Sequence, residues 1–248
     1  MGNAYKYDED LEFLREIESE DLKELYNVLT KDKDGKTRMT EELTSNDLVK
    51  HYYPDHKRYI ELIMAELQYF GGNSFANIFR GSGVLYKEIL CDVCDKLKVN
   101  YNKNAATEVI EMAMFQKILA DAVDKMSKEE LEEIAKDFNI KNVSSGSVTM
   151  ALQAVMKMGG FKTYQIIVII VNSVWKAIFG HGLTLAANAT VARYVSIFIG
   201  PIGWLITGIW TAVDIAGPAY RVTIPAVIYV AFLRQKLAQK AVENSNVF

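Results

Sequence analysis

Apolar residues recur at intervals of three and four along almost the whole chain, and no sustained two-residue alternation interrupts them, so the pattern predicts an all-α fold. Leu11 and Leu14 mark a first short helix. Leu22, Leu25, Val28 and Leu29 mark a second, with Ser19 expected as its N-cap. After a polar turn at 31–37, a third helix opens behind Pro54, carries Tyr59, Ile60, Ile63, Met64, Leu67 and Phe70, and stops at Gly71-Gly72. Further helices are expected at about 84–98, 104–126, 127–138 and 147–158, the last ending at Gly159-Gly160. Ser127 and Glu130 have the spacing of a capping box.

From residue 163 the pattern changes. Only Lys176, Arg193, Asp214 and Arg221 are charged in the 71 residues up to Leu233, where the chain's 24% average would place about 17. Such a block is either the interior of a large helical fold or a segment that meets lipid. Gly180-His181-Gly182, Gly200-Pro201 and Gly217-Pro218 are expected to cut it into pieces of helix length. In 164–183, ten Ile, Val, Leu and Phe residues favour insertion by about −3 to −6 kcal/mol, and Lys176 opposes it by about +2.5 to +3.5. Residues 194–213 hold no charge and span roughly 30 Å as a helix, which makes them the best spanning candidate. Arg221, Pro218 and Pro225 make 215–233 a poor span. The reading is an all-α helical bundle with a C-terminal apolar helical hairpin turning near 187–193. Ile197, Phe198, Ile202, Trp204, Leu205, Ile206 and Trp210 are then expected at the membrane, and Arg234, Lys236 and Lys240 at lipid headgroups.

Charge separates the halves. Residues 1–162 carry 22 basic and 29 acidic side chains, residues 163–248 six basic and two acidic. Composition divides the chain into an N-terminal helical module at 1–50, an acidic helical domain at 51–160 and an apolar, membrane-associating region at 161–248. An acidic chain without a Lys/Arg stripe gives nucleic-acid phosphates little to pair with, so no nucleic-acid partner is expected. The first 22 residues have neither a basic start nor an apolar core, so no secretory signal is visible. The expected place is the cytoplasmic face of the inner membrane, or the cytoplasm with conditional membrane association.

No residue set announces a reaction. Residues 30–41 approximate a calcium loop, but Thr30 stands where its first carboxylate belongs, and a polar turn is the better reading. Cys91 and Cys94 have CxxC spacing inside an apolar-patterned helix, with no second pair to complete a zinc site. His51, Asp55 and His56 surround Pro54 and read as a solvated turn. The glycines between Gly71 and Gly83 lack the Gly-Lys-Ser/Thr that would cradle phosphate. Neither an enzyme, a cofactor nor a metal is expected.

The stretch from Ala65 to Leu90, reading AELQYFGGNSFANIFRGSGVLYKEIL, resembles the central signature of the bacterial YaaW-like family, often described as ubiquinol-cytochrome c chaperone-like. The family's short N-terminal helical module is similar to residues 7–30, and its C-terminal signatures to 179–183 (FGHGL) and 219–227 (AYRVTIPAV). The chaperone description implies a hydrophobic client. Among the matched positions Glu66, Gln68, Asn73, Asn77, Arg80, His181 and Arg221 are polar groups in apolar surroundings, and they are the candidates for interaction. Three functions follow: a non-enzymatic membrane-associated protein with a cytosolic domain, a soluble-to-membrane pore-forming effector, and a chaperone-like adaptor for apolar client helices. Membrane lipids, a hydrophobic client protein and self-association are the partners these imply.

Overall fold

Two stretches of the low-charge block, 166–175 and 222–233, are buried at every residue. A helix that is apolar all round is the centre of a core or a membrane span; here each stretch is the centre of a packed helical unit. The computed structural model describes residues 4–32, 34–39, 41–72, 83–183, 189–216 and 220–245, and among these the chain is all-α. Its helices are α1 (Ser19–Thr30), α2 (Asp47–Tyr52), α3 (Ile60–Gly72), α4 (Tyr86–Lys96), α5 (Thr107–Val123), α6 (Lys128–Asp137), α7 (Ser145–Met158), α8 (Gly160–Phe179), α9 (Ala189–Ala216) and α10 (Tyr220–Ser245). Short 3-10 turns occupy Glu12–Glu16 and His56–Tyr59.

The first unit comprises Met1–Glu111 and Ala212–Ala238. Its core is built on α3, where Ile63, Met64, Leu67 and Phe70 are buried, and on the 222–233 segment of α10. Gly71 and Gly83 let α3 and the entry to α4 approach closely. A Cβ on Gly71 would lie 2.4 Å from Ile89 Cγ1, and one on Gly83 would lie 2.6 Å from Gln68 Cβ. The Val84 N–H donates to the Gln68 carbonyl at 3.3 Å beside that crossing. Gly71 and Gly83 of the central signature therefore serve packing.

The second unit comprises Met112–Thr211 and Gln239–Phe248. Its centre is α8, surrounded by α5, α6, α7 and α9. The capping box of α6 is present, with Ser127 Oγ accepting from Glu130 N and Glu130 Oε2 accepting from Ser127 N. At the far end of α8, Gly180 takes a left-handed φ of +75° and stops the helix. Buried Asn172 then accepts from Leu183 N at 3.0 Å and donates to Val168 O at 3.0 Å, which turns the chain back along α8.

Four expectations change. The turn around Pro54 is not solvated throughout: His56 is buried, with its ring nitrogen 2.6 Å from the Tyr59 hydroxyl, because it packs among Tyr26, Tyr53 and Tyr59. Ser19 opens α1 without capping it; its hydroxyl donates to Asp55 and accepts from Lys57 N, because the Asp55 loop packs there. Leu11 and Leu14 flank or occupy a 3-10 turn, since five residues are too few for an α-helix to nucleate. Gly200-Pro201 does not break the chain: α9 runs through it. An interior proline forfeits one backbone hydrogen bond at about 3 kcal/mol, and burial of Phe198, Pro201 and Ile202 on the core offsets that loss.

Candidate functional site

In the second unit a groove of about 260 Å³ opens among α7, α8, α9 and the end of α6. Phe138, Val155, Ile166, Ile169, Val191 and Tyr194 form its apolar walls, and Asp137, Lys162, Gln165 and Thr190 its polar edge. Phe138, Ile166, Ile169 and Tyr194 also border a small apolar void of about 20 Å³ reaching Leu119 and Phe198. Asp137 is committed to the wall: its carboxylate lies 3.0 Å from Arg193 Nη2 and accepts from the Tyr194 hydroxyl at 2.5 Å. The Tyr194 bond, with Arg193, holds that carboxyl below its ordinary pKa. Arg193 also pairs with Glu133 at 2.7 Å. Pockets for drug-sized ligands measure roughly 300–1,000 Å³, so a groove of about 260 Å³ suits a few protruding apolar side chains.

In the first unit a buried polar chain ties the N-terminal segment to α3, α4, α5 and α10. Gln68, fully buried, exchanges hydrogen bonds with the backbone of Lys6 at 2.8 and 3.0 Å. Asp8 accepts from Tyr86 N at 2.6 Å and from Asp10 N at 3.1 Å. The Tyr86 hydroxyl donates to Glu111 Oε1 at 2.8 Å, and Arg234 Nε reaches Glu111 Oε2 at 3.0 Å. Arg234 also donates to Asp10 O at 2.6 Å and lies over the Phe13 ring at 4.2 Å. Glu111 is 0% exposed, and burial raises its pKa to about 7 against the opposing pull of Arg234. Burial likewise raises Asp8. Neighbouring Cys94 is pushed up to about 12 by burial, so its thiol stays protonated and unreactive.

The family matches fall on these two arrangements. The sequence pattern of the family described as Ubiquinol-cytochrome C chaperone matches residues 55–229. The chain belongs to that family. A second pattern, described as a domain of unknown function (DUF3944), matches 5–39 and so contains Asp8, Asp10, Phe13 and Asp21. A UPF0174 protein of Helicobacter pylori strain J99 is 54% identical over 239 residues, covering 95% of this chain and 94% of that one. UPF0174 protein YaaW of Escherichia coli K12 is 33% identical over 245 residues, covering 96% and 98%. A UPF0174 protein of Helicobacter pylori strain 26695 is 42% identical over 209 residues, covering 82% and 100%. No solved structure matches the chain.

The residues of the family's signatures separate by position. Gln68 and Glu66 are both buried; Glu66 Oε1 accepts from Glu42 N at 3.3 Å. His181 is exposed beside Phe179, and Arg221 is half-buried. Asn73, Asn77 and Arg80 lie outside the described residues. On α9, Ile197, Phe198, Ile202 and Ile206 are buried in protein, Leu205 is half-buried and Trp204 is 75% exposed; the Trp210 side chain lies outside the description. Arg234 and Lys236 point inward instead of toward headgroups, because Glu111 and Asp21 supply their counter-charges; Lys236 Nζ lies 2.5 Å from Asp21 Oδ1. Lys240 is exposed.

The charged centre of the polar chain escapes a reading by type alone. Glu111 is an acidic residue on the α5 stripe formed by Thr107, Ile110, Met114, Phe115 and Ile118, all buried. That position, i+4 from Thr107 and i−4 from Phe115, is the local sign of a buried carboxylate. The turn at 31–37 is closed by Asp32, which accepts from Asp34 N and Lys36 N at 2.9 Å. Among the described residues, no group of three His, Cys, Asp or Glu side chains is arranged to hold a metal ion.

Proposed function

We propose that the protein is a non-enzymatic, chaperone-like adaptor that holds an apolar helical segment of a client protein in the groove of its second unit. The observation that carries this reading is the groove itself: apolar walls, a polar edge, and a volume suited to a few anchoring side chains. Helix-in-groove recognition uses anchors at i, i+3 or i+4 and i+7, and an apolar membrane subunit awaiting assembly presents such a face. The family's chaperone description supports the class of function. The proposed place of work is the cytoplasmic face of the inner membrane.

The test is binding of a fluorescent 18-residue Leu/Ala helical peptide to the full chain, read by anisotropy. Val155 is a half-exposed wall residue, so Val155→Glu places a carboxylate in the groove without touching the core. Affinity is expected to fall at least about tenfold, which is about 1.4 kcal/mol, with an unchanged circular dichroism spectrum. Equal binding by the variant sinks the groove as the client site.

Residues Ala189–Ile209 of α9 favour a second reading, conditional insertion with membrane perforation, because they are long and apolar enough to cross a bilayer. Against it, the outward line of α9 carries Arg193, Ser196, Gly200, Thr207 and Thr211 beside the exposed Trp204, while Val191, Val195, Ile197, Phe198, Ile202 and Ile206 face inward. Release of dye from vesicles by the wild-type protein would favour insertion over the adaptor reading.

A further inference from the structure

The corner joining α7 to α8 carries exposed apolar side chains on a sharp glycine turn. Residues 157–162, Lys-Met-Gly-Gly-Phe-Lys, are exposed without exception; Met158 is 74% and Phe161 53% exposed. On α7 the outward line continues through Ala154 to Met150, which is 73% exposed, at four-residue steps that put the three on one face. Isolated apolar residues at a surface need no explanation, but a line of two methionines running into a phenylalanine is an exposed patch with a use.

The corner is also held in shape. Gly159 adopts φ +73°, ψ −168°, a region open essentially only to glycine, and Gly160 follows at φ +74°. Both point into open space, with no atom within 4 Å of where a Cβ would sit. Behind them the buried Thr163 hydroxyl donates to Val155 O at 3.0 Å and lies 3.3 Å from Met156 O, closing the last turn of α7. Two bulky apolar side chains are thereby presented on a preformed protrusion, with little left to order on binding.

Charge identifies the occupant. No Asp or Glu occurs between Asp137 and Asp214, while Lys141, Lys157, Lys162, Lys176 and Arg193 do, in a chain whose net charge is −3. Lys157 and Lys162 bracket the protrusion and make no ion pair among the described residues. Apolar side chains on a tip, flanked by ammonium groups whose groove neighbour Asp137 is already held by Arg193 and Tyr194, match an anionic lipid surface: the tip enters the acyl boundary and the lysines meet headgroup phosphates. We propose that the 157–162 corner, extended by Met150 and Ala154, docks the protein peripherally on an anionic bilayer. This rests on the reading of the protein as one that works at the membrane, and it assigns the contact to the α7–α8 corner in place of α9 or the Arg234 region.

The experiment is flotation of the full chain with large unilamellar vesicles of phosphatidylcholine, with and without phosphatidylglycerol, at low and high salt. Wild type is expected to float with the phosphatidylglycerol vesicles, less so at high salt, and to stay behind with phosphatidylcholine alone. Met158→Ser with Phe161→Ser, and separately Lys157→Glu with Lys162→Glu, are expected to lower the partition coefficient at least about tenfold. Trp204→Ser, an equally exposed control in the same unit, is expected to float like wild type. Circular dichroism and peptide binding by the Met158/Phe161 variant are expected to match wild type, which separates docking from client capture. If wild type floats and the corner variants float equally, the corner is overturned and the membrane reading survives. If wild type never floats with anionic vesicles, both are overturned.

Discussion

Glu111 sets the chemistry of the first unit's interior. A carboxylate 0% exposed is tolerable only because Arg234 and Tyr86 occupy its oxygens. Arg234→Met is expected to destabilise the protein by about 3–5 kcal/mol, because Glu111 is then buried without its counter-charge; adding Glu111→Gln should recover part of that loss in urea unfolding. The pH dependence has a defined sign. The Glu111 pKa is raised from 4.5 to about 7 by burial, so the folded protein holds that proton more tightly than the unfolded chain. Its contribution to stability is complete below about pH 4.5 and is lost as pH rises through about 7. The stability of wild type relative to Glu111→Gln is therefore expected to fall between pH 5 and pH 8. His56 works in the opposite direction: buried and bonded to Tyr59 OH at 2.6 Å, it has its pKa lowered from 6.5 to about 4, and its contribution, complete above 6.5, is lost on acidification. Gln68 and Glu66 were legible in sequence as polar groups amid apolar neighbours. Arg234 was legible only as a cation after an apolar run, because its partner lies 123 residues away on α5.

Where helices begin and end, local chemistry was a good guide when the deciding groups were neighbours in the chain. The Ser127/Glu130 box and the Gly180 stop are both of that kind. Helix α2, capped by Asn46 at Leu48 N, escaped notice because six residues carry too little periodicity to stand out. Pro201 misled for a different reason: its local cost is real, but the outcome depends on what the flanking residues bury, and that is tertiary. The Gly-Gly corner after α7 was legible as an end of a helix, though not as a protrusion. Gly159→Ala is expected to cost about 1–3 kcal/mol, since the observed φ and ψ exclude a Cβ. Thermal melting measures it, and an unchanged midpoint would contradict the backbone geometry described for the corner.

Across the whole chain, two stretches of the apolar block owe their composition to burial: 166–175 and 222–233 are each the interior of a different unit. Composition places both in one C-terminal region, because hydropathy records how buried a segment is and carries no address for its neighbours. The pairing of Ala212–Ala238 with the first 111 residues has no local signature. The groove of the second unit was illegible for the same reason, as its walls come from residue 137 to residue 194 with no shared motif. A chain cut after residue 160 thus lacks the central helix of its first unit. It is expected to be insoluble or to lose most of its helical dichroism, and co-expression with residues 161–248 should restore a soluble complex.

The grip of the N-terminal segment on α10 bears on how the protein is made. Arg234 donates to Asp10 across 224 residues, and Lys236 pairs with Asp21 across 215. At about 5–20 residues per second, a ribosome needs roughly 11–45 s to pass from one partner to the other. Throughout that interval the apolar faces of α1, α3 and α4 have no central helix to close on. The nascent protein is itself a client in waiting, and its first unit completes only after the end of α10 has left the exit tunnel.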